Sequence, residues 1–307
     1  MSELPDIQYL TRQEIDTIKW DDCIEKAGNG LIYGYSFYLD TFSKHWDALV
    51  LGDYEAVMPL TWNKKFGIRY LYQPFLTAQL GVFGNELTEE KISFFIKKIP
   101  ASFRFIEISM NSRNAEGLPA GSSTHRSNYV LDLDKPYEAL YNNYRDNIQR
   151  NIRKAWQSGC SFQKGFDAEQ VIELAVQQMK SQGNEEKENI THFRKLFEYL
   201  HAREMANTYG IFSSQRELIA SSIFFFSHQR AYYILVGNHP AGKTVGASHA
   251  LIDGFIKEYA GKKMLLDFEG SDMPNLAFFY SSFGATHEVY PAFKINRLPF
   301  FLKWMKK

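Results

Sequence analysis

The sequence of 307 residues contains no apolar run near the length of about eighteen residues that a membrane-spanning helix requires. Its N-terminal residues, Met1–Asp6, show no basic region followed by an apolar core, so no export signal is predicted. Only two cysteines occur, Cys23 and Cys160, which are too few for a disulfide framework and match no metal-ligand spacing. These absences predict a cytoplasmic protein without a membrane span or a metal site.

An excess of charge of either sign is also missing, because Lys plus Arg and Asp plus Glu both number 35. No global field therefore favours nucleic acid, and a DNA-binding protein is disfavoured. Hydrophobic residues make up 45% of the chain and charged residues 23%, which is typical of a globular protein long enough for two domains. The composition does not indicate an oligomeric state.

The first half of the chain predicts a compact α/β domain that ends near Asp134. Its patterns indicate helices, an antiparallel meander, a helix capped by Thr88, and buried strands; the predicted spans are 12–26, 35–45, 48–51, 56–62, 68–72, 89–98, 103–110 and 129–133. Domains of residues 1–134 and 135–307 follow from this boundary. Several polar and aromatic residues could line a cleft, but packing is the more ordinary explanation, and no role is assigned to His45, Trp46, Tyr70, Tyr72 and Gln79.

A basic amphipathic helix is predicted over residues 137–159, closed by Gly159. Its polar faces carry a concentration of positive charge that includes Arg150 and Arg153. Two interpretations stay open for these arginines. They form either a solvated helix surface or a face that binds an anion such as phosphate.

The stretch from Gly237 to Thr244 matches the letters of a phosphate-binding P-loop, and Asp267 ends a later apolar strand, as the magnesium-holding acid of such a protein would. However, the loop follows three apolar strands that short turns should pair antiparallel, at 209–213, 218–227 and 231–236. A P-loop protein requires a parallel sheet at this point. A P-loop-type nucleotide binder is therefore a remote alternative.

Four motifs in the second half resemble those of the Fem-type aminoacyltransferases and their relatives, the GNAT-type acetyltransferases. They are NIQRNIRKAWQSG at 147–159, ASHAL at 247–251, LDFEG at 266–270 and FYSSFG at 279–284. The resemblance covers about residues 137–295. It implies two tandem GNAT-like domains, each an α/β fold with a mixed, mostly antiparallel sheet flanked by helices.

The resemblance implies an N-acyltransferase that uses acyl-CoA, with the donor pyrophosphate on the backbone amides of Lys243, Thr244, Val245, Gly246 and Ala247. The coiled-coil arm of tRNA-dependent Fem enzymes is missing, because the connection at 181–189 is short and has no heptads, so aminoacyl-tRNA is the less expected donor. The expected acceptor is a small amine, in one version a phosphorylated cell-wall precursor held by Arg150 and Arg153.

Three residues are candidates for catalysis. Tyr280 could protonate the leaving group, or be a packed core tyrosine. Asp267 could deprotonate the amine, or cap the turn after its strand. His249 could serve as a base, or be structural. Because many Fem-type members have lysine where this chain has Tyr280, a non-catalytic GNAT-fold binding module is the alternative function.

Overall fold

The computed structural model describes residues 6–181, 187–270 and 272–299. They divide into two compact units, Met1–Arg126 with Val289–Lys307, and Ser127–Glu288. This division differs from the predicted boundary at Asp134, which assigned the whole C-terminal segment to the second domain. The difference has a simple cause, because Ala292–Asn296 pairs antiparallel with Phe105–Ser109 of the first unit.

Before Ser123, the described residues of the first unit contain six strands and three α-helices. The strands are β1 (Ile7–Leu10), β2 (His45–Leu51), β3 (Ala56–Lys65), β4 (Ile68–Leu71), β5 (Phe83–Gly84) and β6 (Phe103–Ser109). The helices are α1 (Thr17–Lys26), α2 (Ser36–Phe42) and α3 (Glu89–Lys98). Strand β1 was not predicted, since four residues carry little periodicity.

Along the sequence of the second unit, pairs of helices or single helices alternate with strands. The strands are β7 (Ser123–Asp132), β8 (Ser161–Lys164), β9 (Ala206–Phe212), β10 (Leu218–Ser227), β11 (Arg230–Asn238), β12 (Leu265–Asp267) and β13 (Thr286–Asn296). The helices are α4 (Tyr137–Asn142), α5 (Asp146–Gln157), α6 (Ala168–Ser181), α7 (Lys187–His201), α8 (Pro240–Val245), α9 (Ala247–Tyr259) and α10 (Pro274–Ser281). Strands β7 and β13 each contain a unit boundary.

In the first unit, β1 to β4 form an antiparallel meander, and β6 returns parallel to β4 after α3. The Thr88 side chain caps α3 by accepting the Lys91 amide, as predicted. Acidic residues in its first turn and lysines in its last turn complement the helix dipole.

Beyond the end of the β4–β6 pairing, residues that follow β4 form hydrogen bonds with β6 and with each other. The Gln73 side chain accepts a hydrogen bond from the Ser109 amide at 2.9 Å and donates to the Thr77 carbonyl at 2.8 Å. Leu80 then bridges to Met110 in parallel. In the first unit, the backbone groups where the parallel strands β4 and β6 separate are therefore hydrogen-bonded to residues that follow β4.

The second unit repeats this order. Strands β8 to β11 are antiparallel, β12 lies parallel to β11, and β7 lies antiparallel to β12. The predicted α/β class with a mixed, mostly antiparallel sheet and flanking helices is confirmed. The predicted antiparallel strands before Gly237 are confirmed too, and this context is not that of a P-loop.

One predicted helix is divided in the structure, and two other helices meet at a glycine. The helix predicted over 137–159 breaks between α4 and α5, because Arg145 is extended and its amide donates to the Ser282 carbonyl at 3.0 Å. Helix α9 is preceded by α8, and Gly246 separates the two helices with φ of +80°. In the polar loop predicted at 181–189, residues 182–186 lie outside the described residues.

Helix α9 is buried around most of its circumference, which explains its apolar sequence. Phe255 stacks on Phe224 of β10 with ring centroids 3.9 Å apart and meets Tyr209 of β9 edge-on at 5.1 Å. Such aromatic contacts stabilise the core beyond the area they bury. The start of α9 is thereby held firmly against the sheet.

Candidate active site

A cleft opens in the second unit where β11 and β12 separate. Their parallel pairing covers only three residues of each strand and ends at Tyr232 opposite Asp267, whereas β11 continues to Asn238. A cavity of about 360 Å³ lies beyond that point. It is lined by Gln178, Tyr233, Val236, Asn238, Gly242, Lys243, Gly246, Ser248, His249, Leu276, Phe279 and Tyr280.

Tyr280 lies on α10, where it is packed and also reaches the cleft. Its ring is 8% exposed and stacks on Phe268 with centroids 4.7 Å apart, so it is a packed aromatic. Its side chain also lines the cleft. Burial, with a smaller contribution from Glu269, raises the pKa of Tyr280 to about 12. The phenol therefore stays protonated at neutral pH and is able to donate a proton.

Most of the cleft lining was not identified from the sequence, including the polar residues Tyr233 and Gln178. Tyr233 of β11 is buried, and burial together with Tyr280 raises its pKa well above the ordinary value. Gln178 comes from α6, and its carbonyl oxygen accepts a hydrogen bond from the Asn238 amide at 2.8 Å. The alternation of β11 could have indicated Tyr233, but no local pattern indicates Gln178, since it reaches the cleft from a distant helix.

His249 lies in the first turn of α9 and lines the cleft. Its Nε2 is 3.4 Å from the Asn151 amide nitrogen, and its ring meets Phe279 edge-on at 5.0 Å. Its Nδ1 is buried without a hydrogen-bond partner among the described residues. Burial lowers the pKa of His249, although the Gly246 carbonyl opposes the shift. The imidazole is therefore neutral at neutral pH, the form in which it can accept a proton.

Asp267 is placed differently from the catalytic prediction. It is 2% exposed, forms an ion pair with Arg230, and accepts the Glu269 amide at 2.8 Å. Burial disfavours the charge on Arg230, yet attraction to Asp267 outweighs it and raises the Arg230 pKa. Both carboxylate oxygens are thus engaged and Asp267 does not line the cleft, so the geometry agrees with the turn-capping interpretation and gives the role of base no support.

The predicted pyrophosphate loop at Lys243–Ala247 is partly helical, because its first three residues form the end of α8. The Thr244 hydroxyl donates to the Ala241 carbonyl within that helix at 2.7 Å. Gly246 and Ala247 lie at the start of α9. The Gly246 amide donates to the Gly242 carbonyl of α8, and the His249 amide donates to the Gly246 carbonyl, so Ala247 and Ser248 are the first-turn residues whose amides lack a partner within a helix. A Cβ at Gly246 would lie 2.6 Å from the Asn151 carbonyl oxygen, so α5 fixes this turn.

The family comparison covers most of this region. Residues 142–274 match the model of the GNAT acetyltransferase domain. Over these residues the chain is similar to a GNAT-type acetyltransferase domain. The matched span includes the start of α9 and ends before Tyr280.

Solved structures share the fold at low identity. FemX is 12% identical with a TM-score of 0.68, over 98% of this chain and 100% of that one. A conserved protein of unknown function from Bacteroides thetaiotaomicron is 11% identical with a TM-score of 0.59, over 91% and 96%. L-PGS from Bacillus licheniformis is 11% identical with a TM-score of 0.56, over 94% and 95%. No curated protein matches the chain.

The arginines of the basic helix lie outside the cleft of the GNAT domain. Arg150 and Arg153 are exposed on α5, and neither lines the cleft. Arg153 instead lines a separate cavity of the same unit. The prediction that the pair holds an acceptor gains no geometric support at the cleft, where Lys243 is the lining residue with a positive charge.

Among the described residues, neither a cluster of metal ligands nor a membrane-spanning helix is found. No group of three or more His, Cys, Asp and Glu side chains within this part of the chain is placed to hold a metal ion. Cys23 and Cys160 are free. None of the described helices combines the length and apolarity needed to span a bilayer.

Proposed function

We propose that the GNAT domain transfers an acyl group from acyl-CoA to the amine of a small molecule. GNAT domains generally use acyl-CoA, and the family match supports acyltransferase activity. The observation that carries the proposal is the separation of β11 and β12 beside the start of α9. An unpaired strand edge offers backbone groups to an extended ligand, and a helix start offers amides to its phosphates.

The donor would lie along β11 from Tyr233 to Asn238, with its pyrophosphate near the first turn of α9. Lys243 adds a positive charge at the cleft, which favours the phosphates of CoA. Aminoacyl-tRNA stays the less favoured donor because α6 and α7 are joined by a short connection rather than by a long arm. The free cysteines fit a reducing compartment such as the cytoplasm, where acyl-CoA is available.

The cleft chemistry assigns one proton transfer to each of two residues. The amine nitrogen attacks the thioester carbonyl carbon, and the carbon–sulfur bond breaks as the amide bond forms. Tyr280 gives its phenolic proton to the leaving thiolate, and neutral His249 takes a proton from the attacking nitrogen. Exchange with solvent then restores both side chains.

The acceptor is a small amine whose identity stays open. A phosphorylated acceptor, including a nucleotide-linked cell-wall precursor, could meet Lys243 in the cleft but not Arg150 or Arg153. Gln178 and Asn238 provide polar groups that could orient an acceptor. These two residues are therefore the first positions at which to look for acceptor specificity.

The test measures thiol release from a panel of acyl-CoA thioesters with a panel of amines. The wild-type protein is expected to release CoA only when a suitable amine is present. Tyr280→Phe is expected to lower kcat by about 10²-fold or more, the usual contribution of general acid catalysis, with unchanged thermal stability. Full activity of this variant would refute the acid role. Tight acyl-CoA binding without turnover with any amine would favour the non-catalytic module.

A further inference from the structure

A second cavity of the same unit, of about 420 Å³, has a lining unlike that of the cleft. It lies among α4, α5, β8 and α9 and shares no lining residue with the cleft. Its lining combines four aromatic rings with one acid and two basic side chains, namely Tyr137, Tyr141, Trp156, Phe162, Asp253, Arg153 and Lys257, with Ile152 and Gly254 completing it. Its size is within the range of small-molecule sites.

The acid of this cavity is buried. Asp253 lies in the middle of α9 and is 3% exposed, and its Oδ1 accepts the Tyr137 hydroxyl at 2.9 Å. Burial raises the pKa of Asp253, while the hydroxyls of Tyr137 and Tyr144 and the charge of Lys257 oppose the shift. A buried carboxylate is costly, and a cationic ligand group would compensate it.

The two basic residues lie at the exposed side of the cavity. Arg153 on α5 and Lys257 on α9 are both exposed. The Arg153 Nε contacts only the Gln149 carbonyl of its own helix, at 3.4 Å, and the Lys257 Nζ lies 5.5 Å from the Tyr137 ring centroid. Neither forms an ion pair within residues 6–181, 187–270 and 272–299. Both cations are therefore available to an anionic group.

A close packing contact fixes one of the aromatic walls. A Cβ at Gly254 would lie 2.4 Å from the Phe162 ring, so glycine lets this ring lie against α9. Tyr137 and Tyr141 lie with ring centroids 5.7 Å apart, and Trp156 is 38% exposed. Such walls suit an apolar group and can face a cation with their rings.

We propose that this cavity binds a free α-amino acid with an apolar or aromatic side chain. The ammonium group faces Asp253, the carboxylate faces Arg153 and Lys257, and the side chain packs between the aromatic rings. An amine without a carboxylate would meet two unpaired cations, and an acid without an amine would face a buried carboxylate. A zwitterion satisfies both signs of charge, independently of what the cleft binds.

The first test is isothermal titration with L-phenylalanine and L-leucine, compared with phenethylamine and 3-phenylpropionate. At least one amino acid is expected to bind. Phenethylamine, which lacks the carboxylate, and 3-phenylpropionate, which lacks the amine, should each bind about tenfold more weakly than L-phenylalanine, the loss expected for one charge-assisted hydrogen bond. Equal binding of all three aromatic compounds would overturn the proposal, as would binding of nucleoside monophosphates but of neither amino acid.

The second test locates the site. Lys257→Ala and Trp156→Ala change exposed side chains and should weaken amino-acid binding about tenfold or more, whereas Lys154→Ala, an exposed neighbour outside the cavity, should not. Asp253→Asn should abolish binding if the variant folds, which circular dichroism would report. Tyr280→Phe should leave amino-acid binding unchanged. Loss of binding in Tyr280→Phe, or none in Lys257→Ala and Trp156→Ala, would overturn the proposal whatever the outcome of the acyl-transfer assay.

Discussion

Replacing Asp267 with asparagine should destabilise the fold rather than remove a proton-transfer step. Asp267 and Arg230 form an ion pair at 3% and 13% side-chain exposure, at the last paired residues of β12 and the first residue of β11. Asparagine keeps the oxygen that can accept the Glu269 amide but removes the charge opposite Arg230. The expected damage is therefore to the β11–β12 pairing that begins the cleft.

The loss of stability in Asp267→Asn can be estimated from the burial of the Arg230–Asp267 ion pair. Removing one partner of a buried ion pair costs about 3–5 kcal/mol, because the other charge stays buried and unpaired. The Glu288 carboxylate lies 3.7 Å from the Arg230 guanidinium and would partly compensate, so we expect about 3 kcal/mol. The double variant Arg230→Met with Asp267→Leu should recover most of that loss, because apolar replacement of a buried pair is often neutral.

Urea unfolding followed by circular dichroism measures the free energy of unfolding of each variant. The control is Glu138→Gln, which changes an exposed acid on α4 and should stay within about 0.5 kcal/mol of the wild type. The reasoning is refuted if Asp267→Asn matches the wild type in unfolding free energy and yet loses about 10²-fold or more in turnover. That result would return the role of base to Asp267.

Three further predictions concern the core, the turn and the histidine. Phe255→Ala should lower the unfolding free energy by about 3–5 kcal/mol in urea, because it leaves a cavity beside Phe224. Gly246→Ala should cost about 1–2 kcal/mol and weaken acyl-CoA binding by titration, since it strains a left-handed residue and pushes on Asn151. Burial lowers the folded-state pKa of His249, so the free energy of unfolding should be highest above pH 6.5 and should fall as the pH drops from there through the lower folded-state pKa. His249→Gln should remove this part of the pH dependence, which urea titrations at several pH values would measure.

Each of these has a contrary outcome. A Phe255 variant as stable as the wild type would show that the ring stack adds little. Unchanged acyl-CoA affinity in Gly246→Ala would separate this turn from the donor site. A wild-type protein and a His249→Gln variant with the same pH dependence between pH 5 and 8 would show that His249 titrates alike when folded and unfolded.

Elements with strong local signals were predictable from the sequence. Helix α3 has a capping threonine, an acidic start and a basic end, and it was predicted at its observed bounds. The antiparallel strands before Gly237 were also recognisable, because short polar turns separate apolar runs. These signals lie within a few residues of the structure that they specify.

Features set by distant contacts were not predictable. The break before α5 depends on a hydrogen bond from the Arg145 backbone amide to the Ser282 carbonyl, and no local sequence pattern near Arg145 predicts this contact. The end of β13 joins the first unit through its pairing with β6. In the cleft, Tyr280 and His249 came from motifs, whereas Gln178 required the packing of α6 against β11.

The central claim is that the cleft between β11 and β12 holds acyl-CoA. Isothermal titration of acetyl-CoA into the wild type, Lys243→Glu and the control Lys262→Glu tests it directly, since both lysines are exposed but only Lys243 lines the cleft. Saturable binding is expected for the wild type and Lys262→Glu, with about tenfold or weaker affinity for Lys243→Glu. No binding to the wild type, or equal affinity of the two variants, would contradict the account.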